Sequence, residues 1–210
     1  ILFFALGWAV LKALGMSIRT FLNPVVFGNT GNMGLPLSLL AFGEAGLAFG
    51  ITYFVVNVIL LVTVGIAVAS GSYRPLDAFK QPFIYAVGLA VFFMLSGFPV
   101  PKIALSTTAL LGNFAIPLML ITLGVSLAKL QIVGLGRALL ISFLRIGLGI
   151  AVGFAVAHLF GLQGAARGVL ILECAMPVAV MTFLLAERYG ADGKEVAGAV
   201  VISTAFSFLS

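Results

Sequence analysis

The chain has 210 residues, of which 62% are hydrophobic and 8% are charged, and its mean hydropathy is +1.27. Soluble domains carry about 25% charged residues, so this composition excludes a water-soluble globular protein. The formal net charge of +5 does not indicate a nucleic-acid partner here, because cytoplasmic loops of membrane proteins are enriched in Lys and Arg.

Uncharged runs along the chain predict helices that cross a lipid bilayer. Residues 51–70, 81–101 and 103–128 contain no Asp, Glu, Lys or Arg. Each run can span ~30 Å of hydrocarbon at ~1.5 Å per helical residue. Backbone in lipid must satisfy its own hydrogen bonds, so we expect an all-α polytopic membrane protein. Eight hydrophobic segments are predicted at about 1–16, 24–42, 46–70, 81–100, 103–128, 138–160, 166–186 and 196–210.

The basic residues between these segments predict their orientation. One set of alternate connections holds eight of them, Lys12, Arg19, Arg74, Lys80, Lys129, Arg137, Arg188 and Lys194. The other set holds Lys102 and Arg167, while Arg145 falls inside the sixth segment. The richer side is therefore expected to be cytoplasmic, in the plasma (inner) membrane.

The second segment is interrupted by the polar, glycine-rich stretch FGNTGNMGLP at residues 27–36. Asn23–Pro24 predicts the start of this helix, with Asn as the N-cap and Pro at the first helical position. A break at mid-membrane leaves backbone groups unpaired, which hydrocarbon does not tolerate unless protein or a water-filled cavity receives them. We therefore expect a discontinuous helix over about 24–42.

The seventh segment contains a second candidate break, with Glu173 and Pro177 inside the span. A lone Gly or Pro often only kinks a transmembrane helix. Two breaks at matching positions, five segments apart, instead predict inverted repeats whose discontinuous helices cross at the midplane. The repeat predicts ten spans in two sets of five. The chain begins with Ile1 and its last segment stops at Ser210, so it is expected to contain eight, without the first two spans and the tail of the last.

Four stretches, FGNTGNMGLPL, FGEAGLAFG, AIPLMLITLGVSL and AMPVAVMTFLLAERYGAD, resemble the auxin efflux carrier family, within the superfamily of the bile acid/sodium symporters. The resemblance, closest to bacterial members, implies efflux of small organic anions by a core domain of crossed helices beside a panel domain. It implies core helices of the first repeat at 1–70, panel helices at 81–130 and core helices of the second repeat at 136–210. The crossover helices would lie at about 24–42 and 166–186.

The breaks predict a binding site for a small carboxylate. Half-helix N-termini each present roughly +0.5 of a charge, so backbone N–H groups can bind an anion without a cationic side chain. The alternative is that the asparagines only satisfy orphan groups of the broken helix. The predicted substrate-binding residues are Asn29, Thr30, Gly31, Asn32, Gly34, Pro36, Met176 and Pro177.

Two ionisable residues inside spans are predicted to couple ions. Glu173 lies about 10 Å deep and is the candidate proton carrier, since intramembrane ionisable residues mark proton relays by default. Arg145 either snorkels to water, pairs with Glu173 or contacts the anion. The family pattern does not require an acid at position 173, so Glu173 is interpreted as particular to this protein's substrate.

Several alternatives stay open at this point. A sodium-coupled symporter would use unwound carbonyls and Asn side chains as ligands, and a channel, uniporter or non-transporting receptor is the other class. The sequence does not specify the substrate, the direction of transport or whether a homodimer forms. An enzyme is not expected, because no nucleophile–base set or metal cluster is visible and Cys174 and His158 stand alone. No cofactor is predicted. Asn57 and Asn113 are expected to form hydrogen bonds between helices, and residues 147–153 to pack closely.

Overall fold

The computed structural model describes residues 2–72, 82–130 and 134–208. Arg74 and Lys80, used above for orientation, lie outside the described residues, as do residues 1, 81, 209 and 210 of the predicted segments. The helices are α1 (Leu2–Ala13), α2 (Ile18–Val26), α3 (Leu35–Leu60), α4 (Ile66–Ser70), α5 (Pro82–Ser96), α6 (Lys102–Lys129), α7 (Leu135–Leu159), α8 (Gly164–Ala175), α9 (Val180–Arg188) and α10 (Gly193–Ser207). π-Helical turns at Thr30–Gly34 and Leu61–Gly65 precede α3 and α4.

Three helical stretches are long and apolar enough to cross a membrane, judged by length and composition. They are Thr30–Ser70, Lys102–Lys129 and Leu135–Leu159. Two shorter apolar helices, Leu2–Ala13 and Ile84–Ser96, accompany them. The described residues thus confirm the prediction of an all-α polytopic membrane protein.

The start predicted for the second segment is wrong. The helix begins at Ile18, where the Ser17 side chain caps it by accepting a hydrogen bond from the Thr20 N–H at 3.3 Å. Asn23 and Pro24 lie inside α2 and are buried. The Asn23 side chain does not cap the helix. Its Nδ2 instead donates a tertiary hydrogen bond to the Gly65 carbonyl at 2.8 Å. Both Ser and Asn are good caps, so local propensity alone could not choose between them.

The long stretch Thr30–Ser70 folds back on itself at one glycine. A straight helix of its 41 residues would be about 62 Å long, well beyond the thickness of a bilayer. Gly43 has φ 65° and ψ −158°, a backbone conformation that favours glycine. The arms then pack antiparallel, with Gly50 against Ser38 and Gly31 against the Phe54 ring. The stretch therefore consists of two helical arms joined at Gly43, which form two spans.

Small residues also let α7 and α8 approach closely. A Cβ on Gly149 would overlap the Cys174 carbonyl, and one on Gly153 would lie 3.1 Å from the Ile171 Cα. The packing interpretation of residues 147–153 is thus confirmed at Gly149 and Gly153, whereas a Cβ on Gly147 would meet nothing within 4 Å. Close contact matters for the site, because α7 carries Arg145 and α8 carries Glu173.

The buried core lies among α1, α2, α4, α7, α9 and α10. By contrast, Leu123 is the buried residue of α6, and most of that helix is exposed. The interrupted helices therefore belong to the densely packed part of the described chain, and α6 lies at its edge.

Candidate functional site

The two interrupted helices meet at their breaks. Helix α2 ends at Val26 and helical structure resumes at Thr30, while α8 ends at Ala175 and α9 begins at Val180. Between them, Gly28 and Val178 form an antiparallel β-bridge. Its hydrogen bonds run from the Asn29 N–H to the Pro177 carbonyl at 2.7 Å and from the Ala179 N–H to the Phe27 carbonyl at 3.1 Å. Two N–H groups freed by the breaks thus find acceptors in the opposite break, and the Val178 N–H donates to Ser203 Oγ of α10 at 3.0 Å, as a non-aqueous environment requires.

A cavity of about 450 Å³ lies beside this crossing. The first helical residues after both breaks line it, with Thr30 and Gly31 on one side and Val180 and Met181 on the other. The first N–H groups of a helix have no intrahelical acceptor and carry partial positive charge. Two positive helix ends therefore share one cavity. Its lining consists of Gly28, Asn29, Thr30, Gly31, Asn32, Phe54, Asn57, Val58, Leu61, Val62, Ser126, Ala179, Val180, Met181 and Leu184.

The polar side chains of this cavity differ in how they are satisfied. Thr30 Oγ1 accepts a hydrogen bond from Asn57 Nδ2 at 3.0 Å. The Asn29 carbonyl accepts from the Met33 and Gly34 N–H groups and so completes the π-helical turn. Among the described residues, Asn29 Nδ2 is buried without a hydrogen-bond partner. The Asn29 backbone thus satisfies the broken helix, while its side-chain Nδ2 is buried with a hydrogen-bonding capacity that the described residues do not use.

Four of the predicted binding residues, Gly34, Pro36, Met176 and Pro177, do not line the cavity. Gly34 packs on the Glu173 carboxyl group, and Pro36 is buried in the first turn of α3. Met176 packs with Met33 and Leu123. Pro177 contributes the carbonyl of the crossing described above.

The cavity lining also includes Asn57, Phe54 and Ser126, which are not among the predicted binding residues. Asn57 was assigned to a hydrogen bond between helices, which is confirmed, but the same residue lines the cavity. Its polarity inside an apolar segment was the available signal. Ser126 and Phe54 have no such signal, since nothing in their local sequence distinguishes them from packing residues. Asn113, by contrast, is exposed on α6.

Glu173 is fully buried, with 0% exposure. Ser38 Oγ donates a hydrogen bond to Oε1 at 3.2 Å, and Oε2 has no partner among the described residues. The absence of side chains at Gly34 and Gly50 makes room for the carboxyl group, because a Cβ at either position would lie against its oxygens. Glu173 therefore contacts the helix whose first turn lines the cavity.

Arg145 is buried at 1% exposure, so it does not snorkel. Its Nη1 donates to the Val25 carbonyl at a long 3.5 Å, and its Cζ lies 4.8 Å from the centre of the Phe3 ring. The guanidinium group also lies against Gly28. Within the part of the chain that the structure describes, it forms no ion pair with Glu173, and the one recorded salt bridge is Arg137–Glu195 at 2.6 Å. Two of the three roles predicted for Arg145, snorkelling and pairing with Glu173, are therefore wrong.

A second cavity of about 430 Å³ lies between α1, α3 and α8. Its walls are mostly aromatic and aliphatic, and Asn57 is shared with the first cavity. The first cavity is the better candidate site, because it alone of the two contains the first turns after the breaks. In the described ranges, no group of three or more His, Cys, Asp or Glu residues is placed to hold a metal ion.

Comparison with known proteins agrees with a membrane role. A family described as "Membrane transport protein" matches residues 68–210. An uncharacterized transporter of Methanocaldococcus jannaschii is 31% identical over 219 residues, which cover 100% of this chain and 71% of that protein. An uncharacterized transporter of Methanothermobacter thermautotrophicus is 28% identical over 188 residues, 87% of this chain and 62% of that protein.

Proposed function

The chain belongs to the membrane transport protein family, as its resemblance to the auxin efflux carriers predicts, and we propose that it is a secondary active efflux carrier of small organic anions. The anion, a carboxylate, binds at the crossing of the two interrupted helices. Transport across the cytoplasmic membrane is coupled to protons. The observation that carries the proposal is that the first turns after both breaks line one cavity.

The chemistry of the cavity suits a carboxylate attached to a short hydrocarbon part. Two half-helix N-termini supply N–H donors and roughly +0.5 of a charge each. The Asn29 amide, whose buried Nδ2 has no partner among the described residues, would supply another donor when its side chain turns into the cavity. Phe54, Met181 and Leu184 provide apolar walls, and the volume falls in the usual range for small-molecule sites.

Glu173 is the proposed proton carrier. Its carboxyl group contacts Gly34, one turn along from the cavity-lining residues Thr30 and Gly31. Gain or loss of a proton there changes the charge beside the helix that binds the anion. Buried carboxyl groups inside spans serve as proton relays in many transporters, which supports this role.

Movement of α6 against the crossing would open the cavity to alternate sides. Ser126 of α6 lines the cavity, and Leu123 of α6 packs on Met176 at the second break. Transporters built on broken helices work by rocking one bundle against another around such a site. The cavity between α6 and the crossing is placed where that motion would expose it.

The test uses full-length protein in proteoliposomes. Solid-supported-membrane currents are recorded on addition of a panel of organic acids, with and without a pH gradient. Saturating currents that follow the gradient and disappear in Glu173→Gln are expected. Glu44→Gln, an exposed acid at the turn between the two spans, is the matched control and should behave as wild type. Currents that do not depend on the pH gradient and persist in Glu173→Gln would contradict proton coupling through Glu173. Currents that do not saturate with substrate would indicate a channel.

A further inference from the structure

Arg145 presents an electrostatic problem that the proposed anion site does not solve. A guanidinium group is charged at all physiological pH values and offers five N–H donors. At 1% exposure it has lost its hydration, yet among the described residues it makes one long hydrogen bond and its Nε has no partner. Burying a charge is costly unless opposite charge lies nearby. No carboxylate of the described residues forms an ion pair with it, so other groups must contribute to its compensation.

The compensating charge comes from the C-terminal ends of the two half-helices. The Val25 carbonyl, which accepts from Arg145 Nη1, belongs to the last turn of α2. The Met176 carbonyl follows the end of α8. A Cβ on Gly28 would lie 3.1 Å from both this oxygen and Arg145 Cζ, so both groups lie against the same face of Gly28. Each helix C-terminus is equivalent to roughly −0.5 of a charge. Two such ends match the single positive charge of one guanidinium.

We propose that Arg145 is the built-in cation of the crossing. It is a positioning residue that holds the ends of α2 and α8 together by neutralising both. In carriers with discontinuous helices, half-helix C-termini and unwound carbonyls are the groups that coordinate a sodium ion. Here a side chain of α7 supplies that charge permanently, so the crossing forms without sodium. For transport, the inference rests on the proposed function and selects proton coupling over sodium coupling.

The residues around Arg145 suit an arginine better than a lysine. Its planar group lies over the Phe3 ring, with Cζ 4.8 Å from the ring centre, as guanidinium groups commonly stack on aromatic faces. Gly28 leaves room for it, because any side chain at that position would overlap Nη2. The fork presents several donors in one plane, of which Nη1 bonds the Val25 carbonyl while the Met176 carbonyl lies on the same face of Gly28, whereas a lysine ammonium is a single point charge.

The test measures thermal melting of the purified full-length protein in detergent, which requires no substrate. Sodium chloride, N-methyl-D-glucamine chloride and dilute guanidinium chloride are compared at equal, low ionic strength. Wild-type protein should melt at the same temperature in all three. Arg145→Ala should melt lower in N-methyl-D-glucamine and regain most of the loss in guanidinium or sodium, since a small cation can enter the space left. Arg137→Ala, in the same helix but exposed, should show no cation-specific recovery.

Specific stabilisation of wild type by sodium overturns the proposal, as does a folded Arg145→Ala that no cation stabilises. If Arg145→Ala cannot be purified in any of the salts, Arg145→Lys decides. Because the positive charge is retained, Arg145→Lys should fold and melt at a temperature that does not depend on sodium, although below that of wild type because lysine lacks the fork of donors. Loss of the fold, or melting that rises specifically in sodium, would contradict a charge-based role. Failure to detect currents would count against the proposed function alone, because the melting experiment does not depend on transport.

Discussion

Asn57 of the second arm of the α3 hairpin donates a 3.0 Å hydrogen bond to Thr30, the first residue after the break in the first arm. Both residues line the cavity beside the crossing. The bond therefore fixes the position of the half-helix N-terminus relative to the opposite wall. It uses one of the two Asn57 Nδ2 protons.

Replacing Asn57 by Leu should weaken anion binding with little change in volume. Loss of a buried hydrogen-bond partner costs about 1–3 kcal/mol, so the apparent KM from saturating currents should rise about 10-fold, the equivalent of ~1.4 kcal/mol. Asn113→Leu is the control, because Asn113 is exposed on α6. A KM that rises equally in both variants, or in neither, would show that Asn57 does not shape the site.

The breaks themselves could be predicted from sequence, because Gly, Asn and Pro disrupt helices by local chemistry that does not depend on distant partners. Gly43 is a similar case, since it lies in the gap predicted between segments 24–42 and 46–70. The start of α2 could not be predicted. Asn23 has the same capping chemistry as Ser17 and lies inside the helix only because Gly65, 42 residues away, accepts its hydrogen bond.

The site was less predictable than the fold because its partners are backbone atoms brought together by folding. Val25 lies 120 residues from Arg145 in sequence, and a carbonyl oxygen leaves no residue-type signature at any position. The hydrogen bond from the Asn29 N–H to the Pro177 carbonyl is likewise formed by backbone atoms. The sequence marks Pro177 as part of a break but does not show which residue donates to its carbonyl. Sequence patterns identified the ionisable side chains, while the groups that surround them had to come from the structure.

The contact between α7 and α8 gives a stability prediction with a control in the same motif. In Gly149→Ala the new Cβ would overlap the Cys174 carbonyl, a backbone group that cannot rotate away. Overpacking of this kind costs about 1–3 kcal/mol. Gly147→Ala, where a Cβ meets nothing within 4 Å, should leave the melting temperature in detergent unchanged. Equal melting of the two variants would mean that α7 and α8 are not in close contact.

Arg19 joins two helix ends near the predicted cytoplasmic side. Its Nε donates to the Ala69 carbonyl at 2.7 Å, and its Nη2 donates to the Tyr189 carbonyl at the end of α9. Arg19→Gln should lower the free energy of unfolding by about 1–2 kcal/mol, the range for hydrogen bonds of charged groups after allowance for partial exposure. Lys12→Gln is the control, since Lys12 is exposed and stacks on Trp8. Chemical unfolding followed by tryptophan fluorescence is suitable, and indistinguishable midpoints would contradict the role given to Arg19.

The packing of Glu173 against Gly34 can be tested by a double-mutant cycle. In Gly34→Ala the new Cβ would overlap the Glu173 carboxyl group, and we expect a loss of about 1–3 kcal/mol from overpacking. In a Glu173→Ala background the same substitution has room, so the two effects should differ from additivity by about 1 kcal/mol or more. Gly31→Ala is the control cycle, because its Cβ would meet Phe54 instead; it should be additive with Glu173→Ala within about 0.5 kcal/mol. Additivity in both cycles would mean that the carboxyl group does not contact the helix that lines the cavity. That result would contradict the proposed coupling between the proton on Glu173 and the bound anion.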